Sequence, residues 1–192
     1  MFNIGDKVVY PMHGAGVIEG IEEKDILGEK QNYYVIKMPG EVKVMVPTDK
    51  ASDVGVRDII DQVSVNKVFS VLETNSTQMD TNWNKRYRDN MEKMKSGDIY
   101  EVADVVRNLA FKQKEKGLST GEKKMLLNAK QILVSELTLA DNAKQEDIEE
   151  IVNNKIDNSF IEYNHTEMPE KPSGAVKKFI SFDSVGTSEN IG

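Results

Sequence analysis

The sequence predicts an α+β protein in which a small antiparallel β module is followed by a compact all-helical domain. Three observations carry that prediction. Four short β-prone runs fall within the first 50 residues, separated by glycine and proline turns. From residue 56 the apolar spacing changes to three and four. Cap and stop signals then divide the second part into helix-length pieces.

The β runs are Lys7-Val8-Val9-Tyr10, Val17-Ile18-Glu19-Gly20-Ile21, Tyr33-Tyr34-Val35-Ile36-Lys37-Met38 and Val42-Lys43-Val44-Met45-Val46. Gly14-Ala15-Gly16, Gly28 and Pro39-Gly40 supply the turns. Several short strands in so few residues suggest a strongly bent sheet similar to SH3 or Tudor modules. A sheet of that kind need not close, and an open edge strand can accept a strand from a partner.

The helical part begins with Val56, Ile59, Ile60 and Val63, then Val68, Phe69 and Leu72, as one or two short helices. Trp83, Tyr87, Met91 and Met94 form the next stripe, ended by Ser96-Gly97-Asp98. Asp98 can cap a helix carrying Ile99, Val102, Ala103, Val106, Leu109 and Ala110, which Gly117 ends. Ser119-Thr120-Gly121-Glu122 has the form of a capping box and opens a long helix through Leu137. An acidic helix is expected around Ile148, Ile151 and Val152. The expected organisation is therefore a β module at 1–53, a helical domain at 54–142, an acidic helix at 143–157 and a flexible tail at 158–192.

Composition excludes several function classes. The chain of 192 residues has no cysteine, which removes disulfides, thiolate metal sites and cysteine nucleophiles. The two histidines, His13 and His165, are far apart and have no metal-ligating company at coordinating spacing. No nucleotide-binding or hydrolase motif is present. An enzyme is not expected, nor a cofactor or metal. No signal-peptide pattern or apolar run of membrane-spanning length occurs, so a cytoplasmic location is expected and no membrane partner. No heptad pattern points to a coiled coil, and a monomer is expected.

The net charge is −7, yet it is unevenly spread. Residues 81–130 hold 12 Lys/Arg against 7 Asp/Glu, between two acidic flanks. Because salt screens charges beyond about 8–10 Å, a local basic patch can attract phosphate on an acidic protein. The most informative stretch is Thr81-Asn82-Trp83-Asn84-Lys85-Arg86-Tyr87-Arg88, which contains the sole tryptophan. Three cations near a helix N-terminus oppose the helix dipole, so their presence points to another purpose. Phosphate contact by Lys85, Arg86 and Arg88 is one, and an adjacent indole can stack on a base or wedge into a minor-groove step. Periodicity alone instead puts Trp83 in the core with Tyr87 and Met91.

Several ordered motifs resemble one family. Val8-Val9-Tyr10-Pro11-Met12-His13-Gly14-Ala15-Gly16 resembles the opening signature of the CarD/CdnL family, a module shared with the transcription-repair coupling factor. Val54-Gly55-Val56-Arg57 resembles its interdomain junction. Trp83-Asn84-Lys85-Arg86-Tyr87, Ser96-Gly97-Asp98 and Gly117-Leu118-Ser119-Thr120-Gly121-Glu122-Lys123-Lys124-Met125-Leu126 resemble its helical domain. The similarity runs from about residue 2 to 140.

The resemblance implies a Tudor-like domain that binds the RNA polymerase β subunit, within the holoenzyme, by strand addition. Lys24, Val42, Val44 and Met45 would make that contact. It implies a helical domain at the upstream edge of the transcription bubble, where Trp83 wedges into the minor groove of promoter DNA with weak sequence specificity and stabilises the open complex. Lys85, Arg86 and Arg88 would form the accompanying basic patch. A wedge must be exposed, which overrides the core assignment from periodicity. Relatives carry arginines where this chain has Lys24 and Met45, and a methionine makes no charge-assisted hydrogen bond. Two other readings are a free-standing DNA-binding repressor and an adaptor that touches only polymerase or another protein.

Overall fold

The computed structural model describes residues 1–167 apart from Leu27, so the expected tail beyond Glu167 lies outside the described residues. The β part is one antiparallel sheet of five strands: β1 (Lys7–Tyr10), β2 (Gly14–Ile26), β3 (Glu29–Lys37), β4 (Lys43–Pro47) and β5 (Arg57–Asp58), ordered β4-β3-β2-β1-β5. Val8, Ile18, Tyr34, Ile36, Met38, Val46, Ala51 and Val56 fill its core. Phe2 closes one end, lying edge-on to Tyr34 at 5.9 Å while its N–H donates to the Tyr34 hydroxyl. At Gly16 the strands approach so closely that a Cβ would lie 2.5 Å from the Lys37 carbonyl oxygen, and only glycine fits.

Two features of the sheet differ from the sequence expectation. The β2–β3 hairpin is far longer than the apolar runs, because charged residues continue the ladder: Glu22, Lys24 and Asp25 pair across from Tyr33, Gln31 and Lys30. Such residues extend a strand when both faces meet water. The fifth strand falls where helical spacing had been read. Gly55 turns the chain at φ +82° beside Pro11, after which Val8 and Val9 of β1 pair with Asp58 and Arg57. Val56 therefore enters the β core rather than a helix, and the sheet reaches past residue 53.

Five helices follow: α1 (Gln62–Glu73), α2 (Trp83–Lys95), α3 (Ile99–Glu115), α4 (Thr120–Asp141) and α5 (Gln145–Glu167). Asp61, Asn82, Asp98 and Ser119 cap the first four, each accepting from backbone N–H groups of the opening turn. α3 and α4 are central, burying Val102, Val106, Leu109, Ala129, Leu133 and Leu137. The acidic helix does not stop at residue 157. It continues because Ile156, Ser159, Phe160 and Tyr163 extend the stripe of Ile148 and Val152 at three and four residues. Phe160 and Tyr163 pack on Phe111, and the Ser159 hydroxyl lies within hydrogen-bonding distance of the Glu73 and Thr74 carbonyls.

The two parts are joined by buried and partly buried polar contacts. The Ala15 N–H donates to Ser135 Oγ at 2.9 Å, across a close approach at Gly14. Lys7 Nζ donates to the Leu139 carbonyl near the end of α4. Arg57 donates two hydrogen bonds to the fully buried Glu136, at 2.7 and 3.0 Å, and two more to the Gly97 carbonyl. Glu136 also accepts from the Ile60 N–H. The carboxylate thus ties β5, α4 and the α2–α3 turn together.

Candidate nucleic-acid interface

Trp83 opens α2, with Asn82 as the preceding cap accepting from the N–H groups of Asn84 and Lys85. In that first turn its side chain projects over the start of α4. The indole is 44% exposed, against a residue expected in the core on periodicity alone. It is nevertheless held on three sides. One face stacks on Tyr87, with ring centroids 5.5 Å apart. Nε1 donates to Ser119 Oγ at 2.9 Å. Gly121 lies beneath both rings, where an added Cβ would meet Trp83 at 3.6 Å and Tyr87 at 3.5 Å.

The cations of the segment separate into three environments. Lys85 is exposed and pairs with Asp80 at 2.8 Å, which raises the Lys85 pKa and lowers that of Asp80. Arg88 is exposed and makes no ion pair among the described residues. Arg86 departs from the expectation of phosphate contact. It is only 8% exposed and faces inward. Its Nε donates to Glu122 Oε1 at 2.7 Å, and its Nη1 donates to the carbonyls of Asp80 and Thr81. A guanidinium so enclosed has little surface left for a phosphate, so Arg86 is a frame residue.

The physical reason is the rotation of α2. Its buried residues are Arg86, Asn90 and Met94; of the expected stripe, Met94 is buried, Tyr87 and Met91 pack partly on the core, and Trp83 is exposed. At about 100° per residue, the centre of the inward face lies about 60° from the centre of Trp83, Tyr87 and Met91, and Met94 belongs to both faces. Burying Arg86 requires a partner, and α4 supplies Glu122.

Glu122 is the third residue of α4 and completes the capping box with Ser119. Its Oε2 accepts from the Ser119 N–H at 3.0 Å and from the Ser119 hydroxyl at 2.9 Å. Burial pushes the carboxyl pKa up. The Ser119 N–H, the Arg86 guanidinium and the Ser119 hydroxyl together outweigh that and hold it below its ordinary value. Ser119, Gly121 and Glu122 are thus site residues that sequence reasoning read only as a helix cap. Lys123 and Lys124 follow at once, both exposed and without ion pairs among the described residues. Exposed cations without ion pairs among the described residues therefore occur in the first two turns of both α2 and α4.

The second set of expected residues lies on the β module. Val42, Val44 and Met45 come together on or beside β4, an outer strand of the sheet. Val42 and Met45 are 56% and 40% exposed, while Val44 packs on the β core. Lys24 sits on β2, opposite Gln31, and pairs with Glu22 at 2.7 Å. The register puts Lys24 and Met45 on the same sheet face, but four residues apart along the strands, or about 13 Å. Lys24 lies beyond the end of β4.

Comparison with known families agrees with both parts of this architecture. Residues 2–60 match the CarD-like/TRCF RID domain, and residues 67–153 match the CarD C-terminal domain. A Bacillus subtilis (strain 168) protein named "Putative transcription factor YdeB" is 44% identical over 149 residues, which cover 77% of this chain and 97% of that relative. The second half of α5 extends past both matched ranges. With its β module, its helical domain and this relative in agreement, the chain belongs to the CarD family of transcription regulators.

Proposed function

We propose that this protein binds RNA polymerase through the free edge of β4 and holds promoter DNA open through Trp83. The observation that carries the reading is the indole itself. A large aromatic ring stands 44% exposed on a charged surface, yet it is stacked and hydrogen-bonded into one orientation. Exposure at that cost in apolar area is unusual for the one tryptophan of a small protein, and base or groove contact would bury it. Arg88, Lys123 and Lys124 supply phosphate contacts around it, with Lys85 joining once it leaves Asp80. Arg86 holds the ring in place rather than touching DNA.

At the other end, the β module offers an outer strand with apolar Val42 and Met45 beside it. An extended strand of the polymerase β subunit would pair with β4 by backbone hydrogen bonds and cover those side chains. Tethering to polymerase makes the DNA contact effectively intramolecular, so the intrinsic affinity for DNA is low. Trp83 then shifts the closed–open equilibrium only by its preference for the distorted fork, and about 1.4 kcal/mol of preference changes the ratio tenfold.

The test is the open-complex lifetime on a promoter with the matching housekeeping polymerase. Wild-type protein prolongs it, and Trp83→Ala does not while still binding the β subunit. Equal lifetimes would make Trp83 a packing residue and favour a protein-only adaptor. Tight duplex binding without polymerase would favour a free-standing repressor.

A further inference from the structure

We propose that Ser119 is a positioning residue for Trp83: the cap of α4 holds the indole in its working orientation through the hydroxyl oxygen, and the buried Arg86–Glu122 pair holds the cap. The inference rests on the wedge reading above and adds how the wedge is kept rigid.

A serine hydroxyl has one proton to donate and two lone pairs to accept with. All three are committed here. The proton goes to Glu122 Oε2 at 2.9 Å. The lone pairs accept from the Glu122 N–H at 3.2 Å and from Trp83 Nε1 at 2.9 Å. Because the Glu122 carboxylate accepts the hydrogen bond that the hydroxyl donates, the oxygen acts toward the indole only as an acceptor. Glu122 is itself fixed from behind by Arg86 Nε at 2.7 Å. Arg86 belongs to α2, three residues after Trp83, so the chain of contacts closes on itself: Trp83 to Ser119 to Glu122 to Arg86 and back along one turn of helix. An exposed indole without this closure would sample several rotamers and lose that freedom on entering DNA. With it, much of the ordering precedes binding.

The sole tryptophan makes the test direct, since emission of the full-length chain excited at the red edge of indole absorption, beyond that of the six tyrosines, reports Trp83 alone. Ser119→Gly keeps an acceptable helix cap and Ser119→Ala a weaker one, and both remove every side-chain acceptor. Ser119→Thr keeps it. In time-resolved anisotropy, the Gly and Ala variants gain a fast local depolarisation that wild type and the Thr variant lack. Their open-complex lifetime with the matching polymerase falls about fivefold, the size expected for one net hydrogen bond, and Thr restores it. Anisotropy unchanged in both Gly and Ala variants overturns the inference. So does a freed indole with an undiminished lifetime. Trp83→Ala, run alongside, separates the two levels. If it too leaves the lifetime unchanged, the wedge reading itself has failed. If it shortens the lifetime while Ser119→Gly and Ser119→Ala do not, only the positioning claim has failed.

Discussion

The β hairpin and the helical domain are both rich in charge, but they use it in opposite ways. In and beside the hairpin, Glu22–Lys24, Glu23–Lys30 and Glu19–Lys43 pair across open surface. In the helical domain Arg86–Glu122 and Arg107–Asp104, and at its joint with the sheet Arg57–Glu136, are wholly or partly enclosed. Exposed pairs contribute little, because water and salt do the same work as the partner. Enclosed pairs are costly to assemble and costlier to break, since the survivor is left charged without solvent. The hairpin charges are therefore a display, and the bundle charges are a frame.

Breaking the frame produces the largest expected effect. Glu122→Ala leaves Arg86 buried and unpaired, so unfolding stability falls by about 3–5 kcal/mol in chemical denaturation. A loss below about 1 kcal/mol would place this pair with the surface ones. Acid attacks the same pair more gently. The folded-state pKa of Glu122 lies below its ordinary value of 4.5, so between the two the unfolded chain binds more protons than the folded one. Its contribution is full above pH 4.5 and is lost as pH falls through the folded value. Stability of wild type measured from neutral pH downward therefore declines more steeply below that point than stability of Glu122→Gln.

A smaller effect has the opposite sign. Gly121 sits in the first turn of α4 with room for a methyl group against both rings. Gly121→Ala should raise stability by about 0.5–1 kcal/mol through helix propensity while leaving Trp83 emission unchanged. A red shift in emission would mean that the ring had been pushed outward. The smallest effect is expected in the hairpin: replacing Glu22 and Lys24 together with alanine leaves the unfolding midpoint within error, and any loss of polymerase binding by that variant then reads as a contact effect.

The same contrast explains what was legible in the sequence. The strand cores at Lys7–Tyr10 and Tyr33–Lys37 and the central helices announce themselves by apolar spacing and caps. The hairpin tip did not, because a strand wetted on both faces has no hydrophobic alternation. α2 was rotated in the reading because its buried face contains Arg86 and Asn90, and polarity hides burial when the partner lies 36 residues away in Glu122. The last turns of α5 were lost among asparagines, although Ile156, Phe160 and Tyr163 keep helical spacing. At the candidate interface, motif resemblance singles out Trp83, but nothing local in the sequence says that Ser119 touches it. That contact exists only once two helices meet.

The Glu136 carboxylate has a mechanical consequence. It clamps Arg57 at the last strand of the sheet and, through that guanidinium, the turn that precedes α3. A linker between two binding modules would let each find its own target at leisure. A clamped joint instead turns the molecule into a gauge of fixed span, with a sheet edge at one end and an indole at the other. On the function proposed above, such a gauge would engage both sites only where the assembly it meets presents them at the matching separation, and selectivity would come from length rather than from letters of DNA.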